Sequence, residues 1–322
     1  ISILDPVRKT FENVVRIPGD ETSLSQNSVF AVFKDNVGSM WVGTYFGGVN
    51  ISYAYNAPFG VIKDNNRQNS ISNNVVSSII DDGKGNLWIG TEGGGVNYFN
   101  RATRTFTHYK NEPQKASSLL SNLIKVIYKD TDGNVWVGTH GGGLNVLLPD
   151  GKSFAGYLAN PPGDSQRIIN EVTSMADDGS GNFWVATNTA LRVFRRTGKQ
   201  LTNEREVAIP GGAAPYRYLF KDSRNTIWAY GTTGVARIDK GRVKEADSTL
   251  VVNCLVEAGE LWGGTWGSGV VKYDGQKFIT YTNPFLKSVN IVGILAGKNK
   301  DLRLSTSRGL AHFFPETGIY RG

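Results

Sequence analysis

Short runs of alternating apolar and polar residues, broken by glycine-rich turns, recur along the whole chain. Val75 to Ile80 is β-branched and amphipathic, which predicts a strand. Asp82-Gly83-Lys84-Gly85-Asn86 has the composition of a turn. Leu87 to Thr91 predicts a second strand, Gly93-Gly94-Gly95 a second turn, Val96 to Phe99 a third strand and Thr105 to Tyr109 a fourth. No segment carries a convincing helical period.

This unit returns along the chain. Its clearest copies are GSMWVGT at 38–44, GNLWIGT at 85–91, GNVWVGT at 133–139 and GNFWVAT at 181–187; NTIWAYG at 225–231, GELWGGT at 259–265 and KDLRLST at 300–306 are weaker. The centres are Trp41, Trp88, Trp136, Trp184, Trp228, Trp262 and Arg303, spaced 34 to 48 residues apart, and seven units account for all 322 residues. Four strands per unit at this period predict an all-β fold, a single seven-bladed β-propeller of four-stranded antiparallel blades. A linear β-solenoid is the competing architecture, but its coils are usually shorter. Each tryptophan has apolar neighbours on both sides, as expected of a strand covered on both faces. Gly43, Gly90, Gly138 and Gly264 follow two residues later and leave room on the same face.

The two ends bear on closure. Residues 2–11 line up with 97–106, the outer part of a unit whose beginning is missing, and no clear fourth strand follows Gly309 to Phe314. One domain over 1–322 is therefore expected, with 1–16, through Thr10 to Arg16, adding the outer strand to the blade around Arg303. The chain does not begin with Met, so it is also expected to be a piece of something longer.

Composition narrows the chemistry. The chain holds 39 glycines, above the usual share of about 7%. A net charge of +7 favours acidic partners, but no run of Lys and Arg with interleaved aromatics points to nucleic acid. No stretch approaches 18 consecutive apolar residues, so no direct membrane insertion is expected, and no signal peptide is visible. Cys254 stands alone, and His108, His140 and His312 are thin material for a metal centre, so neither metal nor cofactor is expected. Asp35, Asp82, Asp130, Asp178 and Asp222 each lie six residues before a centre. Asp130-Thr131-Asp132-Gly133-Asn134 has the wrong spacing for a calcium loop, so a bond from Asp to nearby turn amides is expected instead.

The unit L-S-x-N-x-V…D-x-x-G-N-L-W-[IV]-G-T-x-G-G-G-[VL]-N resembles the two-component regulator propeller repeat. It is carried best by Ile71 through Asn97 and by Leu120 through Leu144, and more faintly by the fifth and seventh units. The tryptophan is followed by Val or Ile and Gly, unlike the WD repeat, and the paired glycines come after it, unlike kelch. The resemblance implies the periplasmic sensor region of a hybrid two-component histidine kinase. Such regions typically sense oligosaccharides and switch on the matching utilisation genes. Their partners would be an oligosaccharide, here acidic if the net charge is a guide, and neighbouring propeller and signalling domains of the same chain; a homodimer is compatible with this. The repeat specifies a scaffold rather than a chemistry. A protein–protein scaffold of a surface or secretion complex is the alternative reading, and a propeller lyase acting on cyclic peptide antibiotics is a third.

A ligand is expected on the face that carries the loops between second and third strands. Where the repeat fixes Gly-Thr, the next position differs in every blade: Tyr45 with Phe46, Glu92, His140, Asn188, Thr232, Trp266, and Ser307 with Arg308. Aromatic faces suit the apolar side of a pyranose, and Asn, Glu, His and Arg suit its hydroxyls or acidic groups. Tyr45, Phe46, Glu92, His140, Asn188, Trp266 and Arg308 form the expected ligand set, with Trp266 as its anchor. No catalytic residue is assigned; Glu92 with His140 is the one constellation that could supply acid–base chemistry. Asn27, Asn74, Asn122 and Asn170 border the same face, where strand-start turn chemistry is their expected role.

Overall fold

The structure is a computed structural model describing residues 2–5, 10–20, 22–34, 40–44, 49–52, 62, 64, 69–158, 171–208, 216–239, 241–281, 289–297 and 301–321. The fold class is the one the repeat predicts, an all-β, seven-bladed β-propeller, and no helix occurs among the described residues. The chain divides into two compact units, Ile1–Ile62 and Lys63–Gly322.

The first unit contains a hairpin of β1 (Ser2–Asp5) and β2 (Thr10–Asn13), and a sheet of β3 (Val29–Lys34), β4 (Met40–Thr44) and β5 (Val49–Ser52). The hairpin pairs Asp5 with Thr10, and its counterpart in the next unit pairs Asn100 with Thr105. The match of 2–11 to 97–106 therefore extends to the strand register, although the hairpin stands as a two-stranded sheet of its own. The closing role assigned to this segment needs correction. Thr10–Asn13 pairs with Ser2–Asp5, and the sheet around Arg303 has its own fourth strand, Ile319–Arg321, on Gly309–Phe314. Three residues after a tight turn, Pro315 to Gly318, are enough to complete that sheet.

The second unit is a run of six four-stranded antiparallel sheets, each in sequence order. Blade 2 comprises β6 (Val76–Asp81), β7 (Leu87–Thr91), β8 (Gly95–Asn100) and β9 (Thr105–Tyr109). Blade 3 comprises β10 (Ile124–Lys129), β11 (Val135–Thr139), β12 (Leu144–Leu147) and β13 (Phe154–Tyr157). Blade 4 comprises β14 (Val172–Asp177), β15 (Asn182–Thr187), β16 (Leu191–Thr197) and β17 (Gln200–Glu206). Blade 5 comprises β18 (Tyr218–Lys221), β19 (Ile227–Gly231), β20 (Gly234–Asp239) and β21 (Arg242–Asp247). Blade 6 comprises β22 (Val252–Ala258), β23 (Glu260–Thr265), β24 (Val270–Tyr273) and β25 (Phe278–Tyr281). Blade 7 comprises β26 (Ile291–Ala296), β27 (Leu302–Thr306), β28 (Gly309–Phe314) and β29 (Ile319–Arg321).

Apolar packing between successive blades holds this unit together. Trp88 of blade 2 lies among Ile124, Ile127, Val137 and Phe154 of blade 3, and Trp136 of blade 3 among Met175, Phe183 and Val185 of blade 4. Trp184, Trp228 and Trp262 repeat the arrangement against blades 5, 6 and 7. The glycine two residues on admits the next blade's first strand. A Cβ on Gly138 would stand 2.6 Å from Val172 Cγ1, and one on Gly264 2.5 Å from Ile291 Cγ2. Such contacts are far closer than packed carbon atoms allow.

The aspartates before the second strands are turn residues, as expected. Asp82, Asp130, Asp178 and Asp222 each accept backbone N–H groups from the residues two and four positions later. Asp130 and Asp222 also accept the indole N–H of Trp136 (2.7 Å) and Trp228 (3.1 Å), tying turn to interblade core. Asp35 lies outside the described residues.

These bonds set an acid limit on stability. Burial alone would raise the Asp82, Asp177 and Asp178 carboxyls, but hydrogen bonds outweigh it and hold all three below the ordinary carboxylate value. A carboxyl that binds its proton less readily folded than unfolded stabilises above the unfolded value near 3.8 and loses that contribution as pH falls through the folded value. The melting temperature should therefore stay level from pH 7 to 5 and drop below about 4. Asp178→Asn should remove part of that drop. A melting temperature that stays level down to pH 2 would contradict this assignment.

Candidate functional site

Antiparallel pairing puts the loops between second and third strands at the same end of each blade as the start of its first strand. Backbone bonds fix this closely. Glu92 N–H donates to Val75 O (2.9 Å), His140 N–H to Leu123 O (2.8 Å), Asn188 N–H to Glu171 O (3.1 Å), Trp266 N–H to Val251 O (3.4 Å) and Ser307 N–H to Asn290 O (3.0 Å). Glu92 and Trp266 further form β-bridges to Leu123 and Asn290, at the threshold of the next blade. The threonine of each Gly-Thr closes its loop. Buried Thr91, Thr139, Thr187 and Thr265 donate their hydroxyls to Gly95, Gly143, Ala190 and Gly269 carbonyls. Gly95, at φ +76°, would carry a Cβ 2.2 Å from Tyr109 O, so only glycine fits there. Five of the variable positions are thus presented on fixed backbone.

Buried asparagines of the third strands add a tie absent from the sequence reading. Asn97 accepts the Ser72 N–H (2.9 Å) and Asn145 the Leu120 N–H (3.1 Å), and each donates to its neighbouring second strand. The border asparagines make a structural tie to the preceding segment rather than the strand-start turn expected of them. Asn27, Asn74 and Asn122 side chains accept the N–H groups of Arg16, Asp64 and Asn111, fastening the segment that enters each blade. Asn170 lies outside the described residues, as do Tyr45 and Phe46 of the expected ligand set.

The side chains of blades 2 to 4 converge. Glu92 Oε1 lies 2.9 Å from Lys125 Nζ, Lys125 Nζ lies 3.7 Å from Glu171 Oε1, and His140 Nδ1 lies 3.6 Å from Glu171 Oε2. Glu92 and His140 therefore do not meet as an acid–base pair. Each faces one of two residues that the sequence reading missed, Lys125 and Glu171. Lys125 reaches this position because its strand is bulged between Ile124 and Val126. The same register shift recurs in β6, β14, β22 and β26, isolating Ser77, Thr173, Asn253 and Val292. A bulge re-aims the extra residue. Here three of them reach toward the next blade, Lys125 to Glu171, Thr173 to Arg217 O (2.6 Å) and Asn253 to Ile291 O (3.1 Å).

Blades 6 and 7 present a different surface at the same end. Trp266 is 63% exposed, the largest such value, shared with Leu295, among the large apolar side chains of the described residues. Arg308 is exposed, as is Thr232 of the neighbouring blade 5, and Arg308 N–H is anchored on Thr306 Oγ1 (3.1 Å). The face can thus offer an aromatic plane, a guanidinium and a carboxylate–ammonium–imidazole string. Among the described residues no group of three or more His, Cys, Asp or Glu side chains is placed to hold a metal ion.

Comparison with known proteins agrees with this architecture. The extracellular domain of the hybrid two component system BT3049 from B. thetaiotaomicron superposes with a TM-score of 0.69 at 24% identity, over 99% of this chain and 43% of that one. The corresponding domain of BT4673 from the same organism gives 0.64 at 21%, over 97% and 44%. Virginiamycin B lyase from Staphylococcus aureus gives 0.59 at 17%, over 77% and 83%. At these identities the likeness is one of fold, and the chain spans less than half the length of the two-component relatives. No curated protein matches the chain. The model of the two component regulator propeller matches residues 23–46, 70–93 and 118–141, each including the variable loop residue. The chain therefore carries the two component regulator propeller repeat, in the three units where the sequence shows it most clearly.

Proposed function

We propose that this chain is a ligand-sensing, extracytoplasmic region of a hybrid two-component system, binding an oligosaccharide on its Gly-Thr loop face. In this reading it lies in the periplasm and passes occupancy on to signalling domains of the same protein that control glycan-utilisation genes. The observation that carries it is the contrast at one loop position. Glu92, His140, Asn188, Trp266 and Ser307 share one backbone anchorage yet differ in every side chain. A rigid frame with a variable residue in each blade is how specificity is written on a repeat scaffold. The propeller likeness to two-component extracellular domains supports the same reading.

The region is proposed to bind without catalysing. Glu92 is held by Lys125 and His140 faces Glu171, which leaves the envisaged acid–base pair divided. The test is calorimetry against a panel of neutral, acidic and amino oligosaccharides, with each binder then incubated with pure protein. Saturable binding of at least one member, returned unchanged, is expected. A panel without binders would contradict the sensing role, and product formation abolished by His140→Ala would contradict the absence of catalysis.

A further inference from the structure

At the opposite end of the blades, one register position near the end of the first strands follows a rule. The residue paired with the one before each repeat centre is Asp81 in blade 2, Lys129 in blade 3, Asp177 in blade 4, Lys221 in blade 5, Glu257 in blade 6 and Ala296 in blade 7. The same position in the first unit's sheet is Lys34. Charge alternates strictly until it stops at Ala296.

Contacts across the blade junctions follow the alternation. Each lysine reaches back to the preceding blade. Lys221 Nζ lies 3.1 Å from Asp177 Oδ1, and Lys129 Nζ lies over the blade 2 turn, 2.9 Å from where a Cβ on Gly83 would sit. The acids of blades 4 and 6 take the turn of the blade before. Thr131 N–H donates to Asp177 Oδ2 (3.0 Å), and Ser223 donates its N–H and hydroxyl to the two Glu257 oxygens (2.7 Å each). Tyr128 completes the Asp177 shell with its hydroxyl (2.8 Å). A cavity of about 460 Å³ over the first strands of blades 3 to 5 is lined by Lys129, Lys221, Asp130 and Thr131, so its charged wall is largely this belt. The three successive junctions from blade 3 to blade 6 are thus bridged from this position, Lys129 approaches the turn of blade 2, and among the described residues no such bridge runs from Ala296 to blade 6.

We propose that this belt of alternating charge fixes which blade face meets which, as at Asp177, which is shared between the turn of blade 3 and Lys221 of blade 5, with Ala296 as its one uncharged member in the second unit. Like charges at neighbouring positions would repel, so the alternation favours the native succession over a slipped one. A belt of this kind responds to the sign of an added charge, not merely to its presence.

The experiment uses the whole chain and substitutes the exposed Ala296. Ala296→Lys places a cation after Glu257 and should raise the melting temperature by about 1–2 °C at low salt, while Ala296→Glu should lower it by a similar amount. Both shifts should shrink in 1 M salt and vanish in a Glu257→Gln background, which keeps the Ser223 contact and removes the charge. Lys221→Glu, beside Asp177, should melt below Lys221→Met. Shifts of the same sign for Ala296→Lys and Ala296→Glu, no shift in either, or a lysine gain that survives Glu257→Gln would overturn the proposal.

Discussion

Replacing Trp136 with alanine is expected to destabilise the second unit by about 3–5 kcal/mol, the largest loss predicted for any exchange at the repeat centres. The side chain is fully buried, its ring lies 4.6 Å from that of Phe183, and its indole N–H ends on Asp130. Removing it opens a cavity between blades 3 and 4 and strips one donor from a carboxylate that is itself buried. Trp136→Phe separates the two effects, since it keeps much of the apolar area and loses the donor, for about 1–2 kcal/mol. Trp184 is the control. Among the described residues its buried indole N–H has no acceptor, so Trp184→Phe should cost less than Trp136→Phe. The seventh centre is a second control. The Arg303 side chain is 59% exposed, and Arg303→Ala should stay within about 0.5 kcal/mol. Chemical denaturation of the four variants measures the order. Equal losses at 136 and 303 would show that the repeat centres do not carry the interblade core.

The blade itself was legible because its signals are local. Leu87–Thr91 and Thr105–Tyr109 occur with the bounds their alternation predicts, and the covered face of Trp88 and the room left at Gly138 follow from period-two geometry. The N-terminal hairpin was legible by alignment alone, since 2–11 and 97–106 share their turn spacing. The outer strand of blade 7 was missed because Ile319–Arg321 is too short to show alternation. Without that alternation, the repeat pattern alone points to Thr10 to Arg16 as the outer strand. At the candidate site the loop positions could be read from the repeat, but their neighbours could not. Lys125 belongs to the site because a bulge breaks the period that would have placed it, and Glu171 because two blades bring it to His140. Contacts between blades depend on geometry that a one-dimensional pattern does not contain. The charge belt is the exception, since its alternation appears once the register is known.

The oligosaccharide reading stands or falls with Trp266. A large aromatic at 63% exposure, bonded through its backbone to Val251 and bridged to Asn290, is held in place while its ring faces solvent. A sugar ring stacked on it would cover apolar surface on both partners, and nearby polar groups would replace the water lost from hydroxyls. Removing such an anchor costs at least about 2 kcal/mol, roughly thirtyfold in affinity. If the ligand is acidic, Arg308→Ala should weaken binding more at low salt than at high salt, because screening already removes part of that attraction. The most direct measurement is calorimetric titration of the tightest binder from the oligosaccharide panel into the parent protein and into Trp266→Ala, after matched melting curves confirm an intact fold. The account predicts a roughly thirtyfold weaker dissociation constant for the variant; an unchanged constant would place the site away from the Gly-Thr loop face and contradict it.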